Sequence, residues 1–82
     1  MEKNFNRSQN AHRTLARVNY DKAHNFKNDT KKTLYNAKVD YHNEVYNMQR
    51  SRGKVLPDGE RSFLYNYFMR KYGVFKQLRK SR

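Results

Sequence analysis

Apolar residues recur every three or four positions through most of this chain, which is the period of an amphipathic helix. The clearest apolar stripe is Leu34, Ala37, Tyr41, Val45 and Met48. A second stripe flanks it and widens the face: Tyr35, Val39, His42 and Tyr46. The polar residues between them are expected to be solvated: Asn36, Asp40, Glu44 and Asn47. The pattern therefore predicts a helix that ends near residue 52.

Two further segments have the same period. Upstream, Ala11, Leu15 and Val18 form one stripe, with an adjoining stripe of Ala16, Tyr20 and Ala23. Downstream, the steps of four, four and three are made by Leu64, Phe68, Tyr72 and Phe75. The neighbouring residues Phe63, Tyr67 and Val74 are predicted to widen that apolar face. Each segment is therefore predicted to be a helix with one buried side.

Local signals mark the ends of these helices. Asp29 or Thr30 can cap the start of the second helix, because a short side-chain oxygen accepts from the first free backbone N–H groups. Arg50 and Arg52 followed by Gly53 form the expected stop signal for that helix. The turn residues of 57–59 then lead into a third helix, which begins near 58–62.

We therefore predict an all-α fold: a small three-helix arrangement in which a helical hairpin is joined by a C-terminal helix packed across it. Residues 1–9 are predicted to be a flexible N-terminal tail, with a helix start near Ser8, and residues 10–82 a single small helical domain ending in a basic tail. The alternative is one long helix over about residues 10–50. That alternative favours a homodimer, because a lone helix cannot bury its apolar stripe.

Composition limits the size and setting of this domain. Hydrophobic residues make up 35% of the chain, below the usual range of about 45–50%, so the core must be thin or must be completed in part by a partner. Aromatic residues reach 15%, which argues against complete disorder. Cysteine is absent, which excludes disulfides and thiolate metal sites and favours a cytoplasmic setting. No secretory signal and no membrane-spanning segment is expected.

The net charge gives the strongest indication of a binding partner. The formal net charge is +12, which attracts polyanions such as DNA, RNA or an acidic protein surface. Only Asp58 and Glu60 are acidic after residue 48, and no acidic residue follows Glu60. The predicted nucleic-acid-binding residues are therefore those of the C-terminal third: Arg50, Arg52, Lys54, Arg61, Arg70, Lys71, Lys76, Arg79, Lys80 and Arg82.

Aromatic rings are interleaved with these basic residues. Lys and Arg neutralise phosphates while ring faces stack on bases, so Tyr65 and Tyr67 are the candidate stacking residues. The competing interpretation is that rings at helical spacing belong to the core. A secondary basic patch is predicted at Arg13, Arg17, Lys31, Tyr35 and Lys38, with a solvated helix flank as its alternative.

Catalytic and cofactor chemistry is not expected. The histidines His12, His24 and His42 have no metal-binding spacing and are interpreted as surface or boundary residues. There is no glycine-rich phosphate loop, and a chain this short gives paired carboxylates little room for a pocket. The sequence thus predicts no enzyme, no cofactor and no metal.

Two functions remain. The first is a small basic binding protein that contacts nucleic acid or a ribonucleoprotein through its C-terminal third. The second is a protein-interaction module, a small inhibitor or adaptor that docks on an acidic face of a larger nucleic-acid-processing machine. Frequent Asn, Lys and Tyr are typical of AT-rich coding genomes, among them those of many phages and low-GC bacteria. This composition is compatible with a phage-encoded inhibitor but does not by itself assign a source.

Overall fold

The computed structural model describes residues 3–75 and shows three helices. They are α1 (Lys3–Asn25), α2 (Asp29–Arg52) and α3 (Asp58–Lys71), with no strand in the described range. The predicted all-α fold of a helical hairpin and a C-terminal helix is therefore confirmed. The predicted basic tail after Phe75 lies outside the described residues.

The break between α1 and α2 rules out the single long helix. Asn28 has extended backbone angles, and its Oδ1 accepts from the backbone N–H of Thr30 at 2.9 Å and of Lys31 at 3.3 Å. The cap is thus one residue earlier than the sequence suggested. Asp29 follows in the first turn, where the helix dipole favours a negative charge.

The end of α2 follows the predicted stop signal. Gly53 takes up a left-handed conformation with φ 70°, and its N–H donates to the carbonyl of Gln49 at 2.7 Å. Other residues adopt this conformation only with strain, which explains the glycine at this position. The connection then runs through the buried Leu56 to Pro57, where α3 begins.

Helix α2 is the central element of the molecule. Within the described residues α1 packs against α2, and α3 packs against α2 without approaching the backbone of α1. The prediction that the third helix crosses both others is therefore corrected. The wide apolar face of α2 is divided between two partners, which gives an elongated molecule of 45 × 25 × 16 Å.

The buried side of α1 differs from the predicted stripe. Leu15 and Val18 are exposed, whereas the buried side chains lie at steps of seven, four, three and four. These buried residues are Phe5, His12, Ala16, Asn19 and Ala23. Two of them are alanines, two are polar and one is aromatic, so hydrophobicity alone does not determine which side of α1 is buried.

The start of α1 is also earlier than predicted. The sequence suggested a start near Ser8, but the helix begins at Lys3 and includes Phe5, which is buried. Burial of an aromatic ring stabilises this turn, and the side chains of Ser8 and Gln9 bind α2 through hydrogen bonds. Whether residues 1–9 move as a tail stays a prediction.

The α2–α3 interface is the apolar core. Its buried members are Ala37, Phe68, Met69 and Val74, with Leu34, Tyr41, Leu64 and Tyr72 packed against them. Asp40 was expected in solvent, but it accepts a hydrogen bond from the hydroxyl of Tyr72. This bond raises the pKa of Tyr72, with a smaller contribution from burial. The C-terminal turn of α3 is thereby joined to the middle of α2.

Candidate nucleic-acid interface

The outward side of α3 carries exposed aromatic rings. Phe63 is 70% exposed and Tyr67 is 50% exposed, and residues four apart lie side by side on a helix. Phe63 was predicted to belong to the core, and this prediction is wrong. Among the described residues helix α3 packs only against α2, so it buries the side that carries Leu64 and Phe68, and the adjoining side is exposed there.

These rings line an open groove of about 710 Å³. We call it the α3 groove and define it by its lining residues: Phe63, Asn66, Tyr67, Arg70 and Lys71. Beneath it lies the buried Phe68, which Tyr67 meets edge-on with ring centroids 5.1 Å apart. The ammonium of Lys71 lies 5.9 Å from the centroid of the same Phe68 ring. The groove thus rests on the α2–α3 core.

The charge of the α3 groove is entirely positive. Arg70 and Lys71 lie in the last turn of α3, and none of the five lining residues is acidic. The acidic side chains of the first turn are engaged elsewhere. Glu60 forms an ion pair with Arg52 at 2.6 Å, and Asp58 forms one with Arg61. The lining residues therefore carry two positive charges and no negative charge, and the nearest carboxylate along α3, that of Glu60, is already paired with Arg52.

The predicted basic residues do not form one continuous patch. Arg50 and Lys54 are exposed near the start of α3, and Arg70 and Lys71 are exposed near its end. The helix of 14 residues separates the two groups by about 20 Å. Arg52 and Arg61 are partly neutralised by their ion pairs. The last four predicted residues, Lys76, Arg79, Lys80 and Arg82, lie outside the described residues.

Tyr65 does not belong to the α3 groove. It is 38% exposed and meets Tyr41 edge-on, with ring centroids 5.4 Å apart. Both rings line a separate groove of about 470 Å³ beside Arg61, whose Nε is buried and has no hydrogen-bond partner among the described residues. Of the two predicted stacking residues, only Tyr67 is therefore placed beside a second exposed ring.

The secondary patch separates into two groups. Tyr35 stacks on Phe26 with centroids 5.2 Å apart and planes at 15°, and Lys38 lies 5.2 Å from the centroid of Tyr35. Lys31 lies 5.2 Å from the centroid of Phe26. These contacts support the junction of α1 and α2 through cation–π attraction. Arg13 and Arg17 are exposed and line a different groove with Val39 and Asn43.

A histidine pair that the sequence pattern did not predict joins α1 to α2. Nδ1 of His12 lies 2.9 Å from Nδ1 of His42, so one ring donates and the other accepts. Burial, followed by the positive charge of Arg61, lowers the pKa of His12. Burial, then His12 and Lys38, lower the pKa of His42 to about 4. The pair was missed because its residues are 30 positions apart.

Two other kinds of site, metal clusters and membrane spans, have no candidate among the described residues. No cluster of three or more metal-binding side chains occurs in the described part of the chain. No helix within residues 3–75 is long and apolar enough to cross a membrane.

Neither protein-family models, curated proteins nor solved structures show a significant match to this chain. Its own residues are therefore the basis for inferring a function.

Proposed function

We propose that this chain is a small, basic, non-enzymatic binding protein that contacts nucleic acid, free or within a ribonucleoprotein, through its C-terminal third. The observation that carries the proposal is the α3 groove, in which two exposed rings lie beside Arg70 and Lys71 with no acidic lining residue. Rings and cations in one groove are the combination that nucleic-acid binding uses. A cytoplasmic location stays a prediction from the cysteine-free sequence.

Electrostatics supplies the affinity in this proposal. Each phosphate that a Lys or Arg neutralises releases a condensed counterion, so affinity falls as salt rises. The expected slope of log affinity against log salt is about −0.9 per phosphate on duplex DNA and about −0.7 on single strands. Exposed residues contribute most to this slope, and Arg52 and Arg61 contribute less because carboxylates already pair with them.

The test compares two pairs of charge removals. The variant Arg70→Gln with Lys71→Gln removes two charges from the α3 groove, and Arg13→Gln with Arg17→Gln removes two from exposed positions on α1. Binding of a labelled oligonucleotide is measured by anisotropy at several salt concentrations. We expect the groove variant to lose the larger part of the affinity and about 1.4 units of slope on single strands.

Two results would contradict the proposal. Equal losses from both variants would mean that net charge alone attracts the polymer and that no site exists in the C-terminal third. Absence of binding by the unaltered protein at low salt would exclude nucleic acid as the partner. Circular dichroism of each variant establishes that the helices are retained.

A second candidate function is a protein-interaction module, either a small inhibitor or an adaptor. It is favoured by Phe63, because a ring that is 70% exposed resembles the aromatic anchors of protein interfaces. The partner would be an acidic face of a nucleic-acid-processing machine. Pull-down with and without complete nuclease digestion separates the two functions, since a partner kept after digestion is bound directly. Homodimerisation stays a separate prediction, measured by sedimentation.

A further inference from the structure

We infer that the α3 groove binds single-stranded nucleic acid, with the rings of Phe63 and Tyr67 stacking on unpaired bases. The inference rests on the proposed function and makes it more specific, since it names the form of the polymer and the residues that read it. It also gives a role to Phe63, whose exposed ring belongs neither to the apolar core cluster nor to the charged residues. An apolar ring left 70% in water is otherwise unfavourable.

The first observation that supports stacking is the arrangement of the two exposed rings on α3. Phe63 and Tyr67 are one helical turn apart, so their rings project from adjacent points on the same side of α3. Base–aromatic stacking needs one accessible ring face for each base. Because both side chains are at least half exposed, each ring has an open surface for a base.

The position of the cations carries the second step. Arg70 and Lys71 lie three and four residues after Tyr67, so they continue the same side of the helix toward its C-terminal end. A strand whose bases stack on the rings thereby brings phosphates to the guanidinium and the ammonium. The side-chain amide of Asn66 also lines the groove and supplies donors and an acceptor for a base edge.

The support beneath the groove carries the third step. Phe68 and Met69 are buried against α2, and they anchor the segment that carries the two rings. Tyr67 is oriented by its edge-on contact with Phe68. A site whose side chains are held before binding loses less entropy when the ligand arrives. The groove is thus prepared by the core rather than assembled by the strand.

The lining favours a single strand over the other polyanions. In a duplex the base faces are already stacked, so protruding rings gain nothing from them. Protein interfaces are also enriched in aromatic residues and Arg, but their buried centres are depleted of Lys and more apolar than the rest of the surface. The α3 groove has no aliphatic lining residue and contains two cations, which suits a strand of bases and phosphates.

The test uses the unaltered protein and four labelled polymers of about 20 units, which exceeds the roughly 4–16 nucleotides of known single-strand sites. They are a thymidine strand, a uridine strand, an abasic strand with the same number of phosphates, and a DNA duplex. We expect the strands with bases to bind roughly 5- to 100-fold more tightly than the abasic strand, since each stacked base contributes on that scale. A preference between thymidine and uridine strands identifies the polymer as DNA or RNA.

Three variants then assign the effect to residues. Phe63→Leu and Tyr67→Leu remove the ring face but keep an apolar, helix-favouring side chain, so the fold is retained. Each should weaken binding of the thymidine strand roughly 5-fold or more and leave abasic binding unchanged. Tyr20→Leu is the matched control, because Tyr20 is 52% exposed on α1, and it should change neither.

The possible failures are distinguishable. Equal binding of the abasic and thymidine strands, or an unchanged affinity in both groove variants, would overturn stacking while leaving the proposed electrostatic function intact. Equal or tighter binding of the duplex would likewise overturn the preference for single strands. Binding of polyglutamate but of no nucleic acid would overturn both proposals and identify an acidic protein as the partner.

Discussion

The two helix interfaces of this protein are built from different kinds of residue. On α1 the buried side chains are mostly small or polar, as Ala16, Ala23 and Asn19 show, and Phe5 is the one large apolar side chain among them. Between α2 and α3 they are large and apolar, with Phe68 and Met69 at the centre. The same central helix supplies both interfaces. Hydrophobic burial therefore holds α3, whereas close approach and hydrogen bonds hold α1.

Gln49 illustrates the first kind of interface. It is completely buried, and its Nε2 donates to Ser8 Oγ at 3.0 Å and to Gln9 Oε1 at 2.9 Å. Its Oε1 accepts from the backbone N–H of Leu56 at 3.0 Å. A single amide thus connects α1, α2 and the approach to α3. A buried polar group is tolerated when its hydrogen-bonding capacity is met in this way.

The largest effect is expected in the apolar interface. Phe68→Ala should lower the free energy of unfolding by about 3–5 kcal/mol, because it leaves a cavity under the groove. A domain of this size has a total stability of only about 4–12 kcal/mol, so the variant should be close to unfolding. Chemical denaturation measures the loss.

Phe63→Ala is the matched control for Phe68, since it makes the same chemical change on the exposed side of α3. It should change the unfolding free energy by less than about 0.5 kcal/mol. Similar losses in the two variants would contradict the assignment of Phe68 to the core and Phe63 to the surface.

The next effect tests the polar interface. Gln49→Ala should cost about 2–3 kcal/mol, because it leaves the buried N–H of Leu56 without its acceptor and removes the bonds to α1. Urea denaturation gives the value, with Asn47→Ala on the exposed side of α2 as the control. If the two variants were equally stable, the amide network would have no structural role.

Close packing of α1 on α2 predicts a third effect. Ala23→Leu should cost about 1–3 kcal/mol, because Ala23 is buried and the longer side chain must displace its neighbours. Ala11→Leu makes the same change at an exposed position of α1 and should be nearly neutral. Thermal denaturation of the pair measures the difference. A stabilising Ala23→Leu would show that the interface has room and that α1 is loosely packed.

The smallest effect concerns pH and the histidine pair. The folded-state pKa of His42 is about 4, below the ordinary value of 6.5, so the unfolded chain binds more protons between these values. The contribution of the neutral His42 side chain to the free energy of unfolding is fully present above pH 6.5 and is lost as the pH falls toward 4. After allowing for partial exposure, we expect a loss of about 1–2 kcal/mol.

Urea denaturation at the two ends of this pH range tests the histidine prediction. His42→Gln should be less sensitive to pH than the unaltered protein, because only the second titrating partner, His12, remains at the α1–α2 interface. Amide exchange should show α1 opening before α3 in acid. If α3 opened first, the acid sensitivity would lie outside the histidine pair.

Much of the secondary structure was readable from local sequence. The stop at Gly53 follows from basic residues before a glycine, and the period of the apolar residues identified three helices. These features depend on interactions within a turn or two, so a single stretch of residues contains them. The cap at Asn28 was misplaced by one residue because Asn, Asp and Thr all cap well.

The candidate site could be predicted only in part from the sequence. Charge located the basic third, and Tyr67 was selected as a stacking residue, yet Phe63 was assigned to the core. The error came from helical spacing, which predicts a wide apolar face on α3 but not how much of it is covered. Within the described residues α3 packs only against α2, so the side carrying Phe63 is exposed and becomes part of the α3 groove.

The sequence by itself determined the three helices, the stop of α2 at Gly53 and the excess of positive charge, because these depend on neighbouring residues and on composition. Tertiary structure alone decided which side of each helix is covered. It placed Leu15 in solvent and Asn19 at an interface, and it brought His12 to His42. Periodicity gives a helix its candidate faces, but the number and closeness of its partners determine which of them are buried.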